Sequence, residues 1–141
     1  MFEATRRADL DGLAAWGFDT PGPLRDRLNA SVLLGDKTAT SSVYDRNDEP
    51  VSVGALELLL DSNERPFALI EITRVEVRPI ADIDLEVAVA EGEGYESAAA
   101  WRAYHEAYFL AELASDGAAA LAPFEDDTEI LVEWFRVIER F

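Results

Sequence analysis

The chain has 141 residues, no cysteine and a formal net charge of −17. That length suits one domain, residues 1–141, able to bury roughly 68–70% of the surface its unfolded form exposes, and the missing cysteines exclude disulfides and thiolate metal sites. The charge repels duplex DNA and anionic membranes at long range, which leaves a small anionic or nucleotide-like ligand, or a short RNA segment, held where a few cations outweigh distant carboxylates.

The first residues, Met1 to Asp9, carry acids and no apolar stretch, so no secretory signal is expected and the expected compartment is the cytoplasm. No apolar run approaches the roughly 20 residues of a membrane span. Phe2 to Ala15 read as a helix ended by Trp16-Gly17-Phe18-Asp19. Pro21 and Pro23 then start a second helix on which Leu24, Leu28 and Val32 recur at four-residue spacing, with Gly35 as its stop.

The middle of the chain reads as strands: Thr38 to Val43, Ala55 to Leu60 and Pro66 to Arg78, the last two joined by a turn at Asp61-Ser62-Asn63-Glu64-Arg65. Asp82 to Ala90 is expected as a short helix capped by Asp82. Ser97 caps a longer helix running to about Ser115, with Trp101, His105, Tyr108 and Phe109 on one face. Thr128 to Glu139, rich in Ile, Val, Trp and Phe, returns as a strand. Strands dominate, so the expected fold is α+β, a small and mostly antiparallel β-barrel with flanking helices.

One residue breaks the composition. Eleven basic side chains are arginine and a single one is lysine, Lys37, in the stretch Leu34-Gly35-Asp36-Lys37-Thr38-Ala39-Thr40-Ser41. A compact ammonium can respond to desolvation or act as a point charge on an oxygen, whereas guanidinium stays protonated; a surface lysine kept by chance is the bland alternative.

Together with Trp16-Gly17-Phe18, Val53-Gly54, Ile70 to Val77, Ala90-Glu91-Gly92-Glu93-Gly94 and the trio Trp101, His105, Phe109, this stretch resembles the ASCH (activating signal cointegrator homology) domain family in order and spacing from about residue 16 to 137. The resemblance implies a β-barrel related to the PUA domain of RNA-modifying proteins, and a module that binds RNA or a modified nucleoside in a cleft centred on Lys37. Tyr95, Ser52 and Ala55 depart from the family pattern, and Lys37 does not.

In one branch of that family a matching lysine, threonine and glutamate form the catalytic set of an amidohydrolase acting on acetylated cytidine, which carried onto this chain gives Lys37, Thr40 and Glu71. Lys37 would take the proton of the Thr40 hydroxyl as it attacks an acyl carbon, with Glu71 orienting the lysine. Lys37 and Thr40 face one cleft only if the segment turns, because residues three apart point to opposite faces of a regular strand. Glu71 lies mid-strand among apolar neighbours, where a buried carboxylate needs a partner: Lys37, or Arg74 or Arg46 as a plain salt bridge; simple exposure at the barrel mouth is the other alternative. A ribonuclease is the other hydrolase the resemblance allows, with Lys37 on phosphate and Tyr44 or Ser41 positioning the reacting hydroxyl.

Thr38, Ser41, Tyr44, Arg46, Trp101 and His105 complete the expected substrate-binding set. Tyr44 and Arg46 could meet an RNA base. His105, the sole histidine, lies between aromatics at four-residue spacing and is expected as a core or cleft-wall residue before an acid or base. Glu91 and Glu93 offer too few oxygens for a hard-metal site and read as a loop between helices; no metal or cofactor is expected. A regulatory protein-interaction domain is a third, duller reading.

Overall fold

The computed structural model describes residues 10, 12–47, 51–115 and 125–141. Residues 2–9 and 11 of the expected first helix lie outside them. At that helix's expected end, Ala15–Trp16 forms instead a two-residue strand, β1. Helix α1 spans Pro23–Leu34, with proline in its first turn and a left-handed stop at Gly35, whose N–H donates to Val32 O at 3.1 Å.

Strands β2 (Ala39–Val43), β3 (Leu56–Leu60) and β4 (Pro66–Pro79) follow. Between β3 and β4 the Asp61 carboxylate accepts from the N–H groups of Asn63 and Arg65, and the Asp61 N–H donates to Arg65 O, closing the expected turn. A 3-10 turn, Ile80–Asp82, then precedes α2 (Leu85–Ala90). Asp82 therefore does not cap α2; Asp84 does, accepting from Val87 N at 3.1 Å. Ser97 caps α3 (Ala98–Ser115) by accepting from Ala100 N, and β5 (Glu129–Arg140) closes the order.

The five strands form one sheet in the order β1-β3-β4-β5-β2. All neighbours are antiparallel except β1 and β3. The expected α+β class and mostly antiparallel sheet are present. Strand pairing among the described residues does not close the sheet into the expected barrel, because β1 and β2 are its two edges.

Two apolar clusters cover this sheet. Helices α2 and α3 give Val87, Ala88, Trp101 and Phe109 to one, with Ile130 and Val132 of β5. Helix α1 gives Leu28 and Val32 to the other, with Phe18, the β4 residues Ala68, Ile70 and Ile72, and Phe135. Buried positions on β5 thus switch from even to odd along the strand, where the β4–β5 register shifts between Ile72 and Arg74. The site lies where the clusters meet.

Candidate ligand cavity

The stop at Gly35 turns the chain so that the N–H groups of Asp36 and Lys37 both donate to Ser31 O. The Thr38 N–H then donates to Ala90 O at 2.7 Å, pinning this turn to the end of α2. Gly92 makes the approach possible. Its φ is 73°, and a Cβ there would stand 2.6 Å from the Lys37 backbone nitrogen, so only glycine lets the two backbones touch.

The contact carries the Lys37 side chain under the end of α2. Its ammonium donates to Ala39 O (3.0 Å), Glu91 O (3.2 Å) and Glu91 Oε2 (3.4 Å), and lies 5.1 Å from the Phe18 ring centroid. Lys37 and Glu91 are each 3% exposed. Burial pushes the Glu91 carboxyl up, yet Lys37, His105 and the Ser41 hydroxyl together hold it below the ordinary carboxylate range. Ser41 Oγ donates to Glu91 Oε1 at 2.7 Å.

Helix α3 supplies the other wall. Nδ1 of His105 meets the Trp101 carbonyl at 2.9 Å, and the ring stacks on the Trp101 indole at 4.2 Å and 14°. Its Nε2 faces Glu91 Oε2 at 3.6 Å. Opposite stand Trp16, Gly17, Phe18 and Asp19, held by Arg25, a buried guanidinium that donates to the carbonyls of Phe18, Asp19 and Asp61 and to Glu64. Gly17 leaves room for that guanidinium, since a Cβ there would lie 2.4 Å from its carbon. Between these walls is a cavity of about 150 Å³. Tyr104, Tyr108 and Phe109 line it from α3, and the Tyr108 hydroxyl donates to Asp19 at 2.9 Å.

The structure brings together Lys37, Thr40, Ser41 and His105, all of which line the cavity. It does not bring Glu71 there. On β4 Ala68, Ile70 and Ile72 share a fully buried face, and Glu71, which alternates with them, is partly exposed and accepts from Arg136 Nε at 2.6 Å. The expected Lys37–Glu71 pair is replaced by Lys37–Glu91. Trp101 is fully buried behind His105 and does not line the cavity, so it supports the ring and cannot touch a ligand. Thr38 is exposed and binds through its backbone, its N–H to Ala90 and its carbonyl from Phe135 N. Tyr44 and Arg46 line a separate concavity, with Arg46 paired to Glu129 at 2.6 Å.

Sequence reasoning placed Glu91 and Glu93 in a loop and passed over Tyr104 and Asp19. One signal was available: Glu91 ends a helix at a glycine, where a cation is favoured by the carbonyl ends of that helix. A second concavity adjoins the first through Trp16, Thr40, Ser41 and Ser42, and holds Glu57 and Glu133. Burial, and then the neighbouring Glu57, push the Glu133 carboxyl up.

The family model described as the ASCH domain matches residues 14–139. The chain belongs to the ASCH domain family. ASCH domains have a PUA-like fold and are often linked to RNA binding. This ASCH domain is similar to protein EF3133 from Enterococcus faecalis V583, at 27% identity over 99% of this chain and 85% of that one, with a TM-score of 0.79. An ASCH domain from Lactobacillus crispatus JV V101 shares the fold at 23% identity over 94% and 84% of the two chains, with a TM-score of 0.76. No curated protein matches the chain. No helix among the described residues is long and apolar enough to cross a membrane.

Proposed function

We propose that this ASCH domain, as a single cytoplasmic domain, binds one base of a short or single-stranded RNA, or a modified nucleoside, in the cavity above Lys37. The carrying observation is the lining: aromatic rings from Trp16, Phe18, Tyr104 and Tyr108 beside the hydroxyls of Thr40 and Ser41. Flat aromatic walls stack a splayed base, and hydroxyls read its edge. A volume of about 150 Å³ is roughly that of a cavity that takes one benzene ring, which suits a base and leaves sugar and phosphate outside.

Electrostatics disfavour an anionic ligand group in the cavity. An ammonium has three donors, and Lys37 spends all three on Ala39 and Glu91. Among the described residues lining the cavity no other lysine or arginine is present, while Asp19, Glu91 and Glu93 are. The ribonuclease reading therefore finds no free lysine or arginine for phosphate among these residues. The amidohydrolase reading keeps one support, because Lys37 and Thr40 line the same space; its carboxylate would be Glu91.

Purified protein incubated with N4-acetylcytidine and with short RNAs, beside Tyr104→Ala and Thr40→Ala, tests both. Binding lost in Tyr104→Ala without turnover supports the module, and turnover lost in Thr40→Ala supports the enzyme. Neither binding nor turnover rejects both.

A further inference from the structure

The floor of the cavity carries a chemistry that a base-binding pocket does not require. One ligand-capable atom from each of Glu91, Glu93 and His105 lies within 4.8 Å of the other two. Nε2 of His105 stands 3.6 Å from Glu91 Oε2, too long for a hydrogen bond. Two ligands bound at about 2.0–2.2 Å to one tetrahedral cation stand about 3.4 Å apart, close to that spacing.

Each of the two buried groups is oriented from behind. A carbonyl only accepts, so Nδ1 of His105 donates to Trp101 O at 2.9 Å, and in the neutral ring the lone pair then lies on Nε2, facing Glu91. Metal-binding imidazoles are oriented in this way, by an N–H held on a backbone carbonyl or carboxylate. The stack on Trp101 fixes the ring plane. Ser41 and Lys37 hold the two oxygens of Glu91, as partners behind a ligating carboxylate do. Glu93, with a side chain 12% exposed, has long contacts, 3.3 Å from the Tyr95 hydroxyl and 3.8 Å from Arg27.

Charge agrees. Among the described residues that line the cavity, three carboxylates, Asp19, Glu91 and Glu93, stand against one ammonium, Lys37, while Arg25 and Arg27 reach the Asp19 carbonyl and Glu93 from outside the lining. We propose that Glu91, Glu93 and His105 form a site for a single divalent transition-metal ion of the zinc or manganese class. The imidazole selects against Mg²⁺ and Ca²⁺, which take oxygen ligands. Three protein ligands leave a position open to the cavity. The site stands whether or not the cavity takes a base.

Chelator-washed protein titrated calorimetrically with ZnCl2 in excess Mg²⁺, which occupies the diffuse carboxylate surface, is expected to bind one equivalent. Co²⁺ in its place is expected to give the visible absorption of a site with nitrogen and oxygen ligands. Glu93→Gln, at the most exposed of the three positions, is expected to weaken binding at least about tenfold with an unchanged melting curve before metal is added, and His105→Gln to weaken it at least as much. Less than one equivalent bound in excess Mg²⁺, or wild-type affinity in either variant, overturns the site.

Discussion

Nζ of Lys37 lies 3.4 Å from Oε2 of Glu91, 54 positions along the chain, and both side chains are all but sealed from solvent. The pair joins the stop of α1 to the end of α2 at the seam of the two apolar clusters. Attraction in such a place offsets the cost of removing two charges from water, and a lone survivor keeps that cost.

Lys37→Met therefore leaves Glu91 buried without its main partner and is expected to lower unfolding free energy by about 3–5 kcal/mol. The double variant Lys37→Met, Glu91→Leu recovers most of that loss. Urea denaturation of the two variants checks both; equal destabilisation in each would show that packing, not the stranded charge, sets the effect.

Glu71 and Glu91 are separated by substitution. Glu71→Gln touches a half-exposed bridge to Arg136 and is expected to change stability by less than about 1 kcal/mol and ligand binding not at all. Glu91→Gln disturbs Ser41, Lys37 and His105 together and abolishes binding. Affinity for N4-acetylcytidine or short RNA, measured in both variants, decides the assignment.

Gly92→Ala forces a Cβ to within 2.6 Å of the Lys37 backbone nitrogen at a left-handed φ. Backbone strain of that kind costs about 1–3 kcal/mol, to which the clash adds. The expected result is a loss above about 2 kcal/mol, read by thermal melting, with Gly94→Ala, where a Cβ meets nothing within 4 Å, losing less.

Acidity acts on Glu133 with a definite sign. Its carboxyl is pushed up by burial and then by Glu57, so its ionisation opposes folding. That opposition is full above the folded value and disappears as pH falls through it toward the unfolded value of about 4.3. Glu133→Gln is thus expected to be more stable than the parent at pH 7, with the difference shrinking on acidification. Urea midpoints at pH 7 and pH 4 measure it.

Local patterns carried much of the fold. The spacing of Leu24, Leu28 and Val32, the glycine stop at Gly35, the Ser97 cap and the Asp61 turn each depend on a few neighbouring residues, and each is present. β1 was not legible, since two residues carry no period. The phase of β4 was ambiguous, because Phe67 and Leu69 make its Glu71 face nearly as apolar as the face of Ala68, Ile70 and Ile72. Lys37 announced itself by composition. Its partner did not, because Glu91 reaches it only through a backbone approach that Gly92 permits, and no local rule encodes that meeting. Trp101 and His105 were expected on one face, correctly, but helical spacing does not say which of two stacked rings meets the cavity.

Five stretches of the chain, around residues 16–19, 24–28, 37–42, 91–93 and 104–109, furnish the cavity wall. An unfolded chain scatters them, so whatever fits between them favours the native form by mass action. A melting screen over nucleosides, bases and metal salts can accordingly find the natural occupant by the rise in transition temperature alone, before any reaction is known.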